Sequence, residues 1–117
     1  MLKFMTISML ALGAATAATS AINTRIVTDE ERAAHEQEAL IIQSPIGGLE
    51  NKYWFNYRAN INEARKEVVS DLRHADDMED TRRAWDEYRG ELSHERGHYV
   101  KQMAKRGFRY GTVSVGD

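Results

Sequence analysis

His94-Glu95-Arg96-Gly97-His98 places two imidazoles four residues apart with a carboxylate between them. On a helix, positions i and i+4 share one side, so His94 and His98 are spaced to grip a single metal ion. Zinc is the ion that suits two imidazole nitrogens, and Glu95 is then the general base for a metal-bound water. The competing expectation is that both histidines lie on a solvated helix face and bind nothing.

Over these five residues the chain resembles the zinc metalloproteases, whose motif is H-E-x-x-H. The resemblance implies zinc as cofactor and hydrolysis as activity. Three departures weigh against it. The central pair is Arg96-Gly97, where that family usually has apolar residues. No histidine follows His98, and Lys101 stands where the longer motif has glycine. Asp117 is the only carboxylate downstream. Neither a catalytic residue nor a cofactor is therefore assigned, and zinc at His94 and His98 stands as the alternative.

Other clusters have simpler explanations. Asp76, Asp77, Glu79 and Asp80 crowd a few residues beside His74, and hard cations favour clustered carboxylates. Carboxylates at that place also cap and charge a helix N-terminus, which is the expectation here. Tyr53-Trp54-Phe55-Asn56-Tyr57 sets four aromatics in five residues. Successive helical positions differ by about 100°, so Tyr53 and Phe55 cannot share a face with Trp54 and Tyr57. Either the first helix covers them with Leu40, Ile41 and Ile42, or they form a binding patch. Gly90 and Gly97 are one heptad apart, with Ala104 one heptad further. Each glycine costs about 1 kcal/mol relative to alanine within a helix. Room for a close helix neighbour, either the first helix or a second protomer, would explain that cost; tolerated exposed glycines are the alternative.

The elements that must carry these residues follow from periodicity. Thr28-Asp29-Glu30-Glu31 is a capping box, predicting a helix over 29–43 that Ser44-Pro45-Ile46-Gly47-Gly48 ends. Trp54, Tyr57, Ile61, Ala64, Val68, Leu72 and Ala75 recur at steps of three and four, predicting a helix over 49–74. Asp76 as N-cap, with Glu79 reaching back, predicts a third helix to Arg106. Its stripe is Met78, Thr81, Trp85, Tyr88, Leu92, Glu95, Tyr99 and Met103, and Gly107 is its left-handed cap. The short link between the two long helices predicts an antiparallel hairpin. Its register sets Ala64 against Trp85 and Tyr88, and Trp54 and Tyr57 near Glu95 and Tyr99. Glu95 is thereby expected to bond Tyr57 or Trp54 across the seam. In the tail, Val113 and Val115 alternate with small residues, as in a strand.

The first twenty residues give an address. Lys3 is a positive n-region, Phe4 to Leu12 an apolar core, and Ala15-Thr16-Ala17 a cleavage site, with Ala18-Thr19-Ser20 a second option. The expectation is a cleaved signal peptide and a periplasmic or secreted product; an uncleaved segment would be the one membrane contact. The chain has 16 bases and 18 acids, and loss of Lys3 leaves about −3. Interspersed charges of both signs argue against nucleic acid. With no cysteine there is no disulfide framework, so packing or a partner must stabilise the fold.

The expected organisation is all-α, with a signal and cleavage region over 1–21. A leader, short helix and loop fill 22–48, a long helical hairpin 49–107, and an extended tail 108–117. The favoured function is binding, through a protein partner or self-association by helix faces including Tyr53, Phe55, Gly90 and Gly97. Such a protein is an adaptor, a chaperone-like factor or an envelope structural component. The alternative is a metal-dependent protein, a zinc carrier or hydrolase, using His94 and His98.

Overall fold

The computed structural model describes residues 25–111. The leader with both cleavage options, and Val113 and Val115 of the tail, lie outside the described residues. Among the described residues the protein is all-helical, with three α-helices and no strand. These are α1 (Asp29–Ala39), α2 (Lys52–Arg73) and α3 (Met78–Ala104), with a single 3₁₀ turn at Ile46–Gly48. None of them is long and apolar enough to cross a membrane.

α3 is the shared element, since both α1 and α2 pack along it. The α2–α3 pairing runs antiparallel. Near its open end the Tyr57 and Tyr99 rings stack at 4.9 Å, and Asn60 Nδ2 donates to Glu95 Oε1 at 2.9 Å. α1 runs the same way as α3, with Glu30 beside Arg82 and Glu38 beside Tyr88. Trp54, Tyr57, Ile61, Ala64 and Val68 of α2 are buried against Tyr88, Leu92, Tyr99 and Met103 of α3. Burying large apolar side chains contributes about 1.5–3 kcal/mol each, so this row is the main support of the fold.

The helix ends explain themselves chemically. Thr28 Oγ1 accepts from the Glu31 amide at 3.1 Å, and Asn51 Oδ1 accepts from the Trp54 amide at 3.0 Å. At the far end of α3, Gly107 takes φ +91°. Its amide bonds Ala104 O and the Phe108 amide bonds Met103 O, both at 3.0 Å, closing a Schellman motif.

Four local expectations are corrected. α1 stops at Ala39 rather than Gln43. Ile42 leaves the helix because its amide finds the buried Tyr57 hydroxyl at 2.9 Å while its side chain enters the core. α2 starts at Lys52, with Asn51 as cap, rather than at Leu49. The cap of α3 is Asp77, whose Oδ1 accepts from the Asp80 amide at 2.8 Å; Asp80, not Glu79, reaches back, to the Asp76 amide at 3.2 Å. Finally, the seam of α3 is turned by one residue near the tip. Ala84 is buried, Met78 is exposed, and Trp85 lies against His35 of α1 at a ring separation of 5.2 Å.

The linker over 40–51 is pinned to the open end of the long helices. The Ile46 amide donates to the Tyr99 hydroxyl at 2.9 Å, matching the Ile42–Tyr57 bond. Gly47 at φ +67° sits so close to the Phe108 ring that a Cβ there would meet it at 2.5 Å. Only glycine meets both the backbone angle and the close approach.

Candidate functional site

One groove between α2 and α3 is left uncovered. Three shallow hollows run along it, of about 310, 170 and 180 Å³ from tip to open end. No residue of α1 or of the linker lines any of them. α1 occupies a different side of α3, the one carrying Arg82, Trp85 and Arg96.

Carboxylates line this groove in two rows. α2 contributes Glu63, Glu67 and Asp71, spaced by four, and α3 contributes Glu87, Glu91 and Glu95, also spaced by four. That spacing holds each row on one helix face, and the antiparallel pairing sets the rows opposite each other. Ala64 and Ala84 are the small residues of the floor. Partial burial, the facing Glu67 and the charges of Glu87 and Asp71 push the Glu91 carboxyl up to about 7. Beyond Glu95, the open end changes to Tyr53, Asn56, Tyr57, His98 and Tyr99.

The H-E-x-x-H residues are distributed around this groove rather than gathered. His94 and His98 are both exposed, and His98 borders the terminal hollow while His94 does not. Glu95 is half-buried and bonded to Asn60, not to Tyr57 or Trp54 as expected. The Tyr57 hydroxyl instead reaches the linker, where it accepts from the Ile42 amide. Among the described residues, no three His, Cys, Asp or Glu side chains converge so as to hold a metal ion. The tip carboxylates Asp77 and Asp80 are engaged with backbone amides and Arg83.

Tyr53 and Phe55 are not covered by α1. Tyr53 is half-buried beneath Arg106, whose guanidinium lies 4.1 Å from the ring centroid and also donates to its hydroxyl. Phe55 is half exposed. Ile42, and Ile46 from the turn, instead join the core that holds Trp54 and Tyr57. Gly90 and Gly97 face open space: a Cβ at either meets nothing within 4 Å, so α1 is not their close neighbour.

A second polar constellation joins α1 to α3. Glu31 is buried and holds Arg25 at 2.5 Å and His35 at 3.3 Å. His35 reaches Glu38 at 2.8 Å, and the Tyr88 hydroxyl donates to Glu38 at 2.6 Å. Burial works to raise both carboxyls, but these bonds outweigh it and hold Glu31 and Glu38 below the usual range. Burial and the Glu38 carboxylate push Tyr88 up to about 12.

Neither constellation was named from the sequence. The acidic rows had a signal, the four-residue spacing of 63, 67, 71 and of 87, 91, 95, which becomes meaningful once the two helices are set in register. Comparison of the chain with protein-family models, curated proteins and solved structures finds no match.

Proposed function

We propose that this is an exported protein, periplasmic or secreted, that works by binding a protein partner along the α2–α3 groove. It serves as an adaptor, a chaperone-like factor or an envelope structural component. The observation that supports the reading is the pair of facing carboxylate rows in an uncovered groove. Like charges set opposite one another disfavour the free state. A lysine- or arginine-bearing segment laid between them removes that penalty and forms charge-assisted hydrogen bonds. The alanine floor leaves room for such a segment. The leader over 1–21 supports the export address.

The test is affinity capture with the mature chain and with Glu67→Lys/Glu91→Lys. The wild type is expected to retain a partner with a basic contact segment, released by raising salt, and the double variant to lose it. Equal capture by both proteins would refute the groove as the binding face. A zinc titration beside His98→Ala separates this reading from the metal-dependent one: stoichiometric binding abolished by the substitution would favour the latter.

A further inference from the structure

A hollow of about 380 Å³ lies between the linker and α2, a size within the range of small-molecule sites. One wall is the linker stretch from Ile41 to Pro45. That wall is fixed by two bonds, from the Ile42 amide to the Tyr57 hydroxyl and from the Ile46 amide to the Tyr99 hydroxyl. The other wall is α2, where steps of four and three keep Arg58, Asn62 and Arg65 on one side. That side differs from the one carrying Glu63 and Glu67, so the hollow is separate from the α2–α3 groove. Buried Trp54 and Ile61 underlie it.

The charges in this hollow are unmatched. Arg25, Arg32, Arg82, Arg83 and Arg89 each close on a carboxylate. Among the described residues, Arg58, Arg65 and Glu50 form no ion pair, although all three line the same hollow. Arg58 instead lies over the Trp54 ring at 5.6 Å, which holds its guanidinium at the rim. Arg65 acts through its charge on Glu38 and Tyr88 and makes no closer pairing. Among the described residues, the backbone amides of Gln43 and Ser44 also meet no acceptor. The hollow therefore offers two guanidinium forks, one carboxylate and spare amide groups between them.

We propose that this hollow binds a short free peptide of about three residues, with its C-terminal carboxylate between Arg58 and Arg65 and its terminal ammonium at Glu50. A guanidinium fork matches a carboxylate in shape and charge. Glu50 precedes α2 and supplies the opposite charge at the other end. Arg58 stands about 9 Å along the helix axis from Lys52, the first residue of α2, and an extended tripeptide spans about 10 Å. The peptide's own amides then lie alongside Gln43, Ser44 and Asn62, which can donate to them and accept from them. A ligand with charge at one end only would leave Glu50 or the arginines unanswered.

The test titrates the full mature protein with trialanine, its C-terminal amide and its N-acetyl form, read by calorimetry and by amide NMR shifts. Trialanine is expected to bind saturably with a Kd below about 1 mM, and to shift Gln43, Ser44 and Asn62 but not Glu67 or Glu91. Blocking either terminus should weaken binding about tenfold, the loss of one charge-assisted contact. Arg58, Arg65 and Glu50 are exposed, so their replacement leaves the fold intact. Arg58→Gln/Arg65→Gln should bind trialanine and its amide alike, and Glu50→Gln should bind trialanine and its N-acetyl form alike. No saturable binding overturns the proposal, as does equal binding of all three peptides by the wild type or shifts confined to the α2–α3 groove. Inorganic phosphate competing as well as trialanine would also overturn it, by showing a site that reads an oxyanion alone.

Discussion

Removing a single oxygen at Tyr99 should loosen the linker without disturbing the core. In Tyr99→Phe the ring, its stack on Tyr57 at 4.9 Å and its contact with Trp54 at 5.8 Å all remain. What disappears is the acceptor for the Ile46 amide at 2.9 Å. Tyr99 and Ile46 are 1% and 5% exposed, so water cannot take the hydroxyl's place. A buried N–H left without a partner costs about 1–3 kcal/mol. In a domain this small each kcal/mol lowers the thermal midpoint by roughly 4–8 °C, so a fall of about 4–24 °C is expected. The loss should also be local. Amide exchange at Ile46 and its linker neighbours should accelerate more than exchange in the middle of α2, because the global core is intact. Urea unfolding with site-resolved exchange measures both quantities. A variant within about 0.3 kcal/mol of wild type, with Ile46 exchange unchanged, would show that the bond does not hold the linker and refute the reasoning; additivity errors are of that size.

Leu92→Ala, at a 1% exposed position in the seam, should cost about 2–5 kcal/mol and can unfold the domain outright; circular dichroism during a thermal scan reads this. Glu91→Gln should raise the thermal midpoint at pH 8 and have little effect at pH 4. The folded-state carboxyl, raised to about 7, favours the folded protein at low pH and loses that contribution as pH rises through the window from the usual carboxylate range to 7. Gly97→Leu should leave the monomer intact, since its Cβ meets nothing within 4 Å, and should raise helix stability by up to about 1 kcal/mol. If Gly90 and Gly97 admit a second protomer, sedimentation of that variant shows dimer loss, whereas a wild type monomeric at high concentration excludes self-association there.

The helical class was legible because period and caps agree. Trp54, Tyr57, Ile61, Ala64 and Val68 declare one buried face of α2, and Thr28 and Gly107 mark helix limits through side-chain and backbone chemistry that local sequence specifies. Two misplaced features, the caps Asn51 and Asp77, rest on contacts three residues apart, and the others depend on residues distant in the chain. Ile41 and Ile42 read as the apolar end of α1, and only the Tyr57 hydroxyl, fifteen positions away, explains why the helix stops sooner. Trp85 reads as a seam residue until α1 is known to lie against it. The H-E-x-x-H pattern was conspicuous locally, yet Glu95 takes Asn60 from the opposite helix as its partner. The acidic groove was the hardest to see, since each row alone resembles an ordinary solvated helix face. Their juxtaposition, with Glu91 drawn to about 7, is a property of the α2–α3 register.

The claim that the α2–α3 groove is the working surface is tested most directly by site-specific photocrosslinking in the cells that make the protein. A photoreactive residue is placed in turn at Glu67, in the groove, and at Asp86, outside it. The account predicts a discrete protein adduct from position 67 and none from position 86. The adduct should map to a lysine- or arginine-bearing segment of the partner and be lost when Glu91→Lys is added. Adducts at 86 with none at 67, or at 67 with no dependence on Glu91, would contradict it.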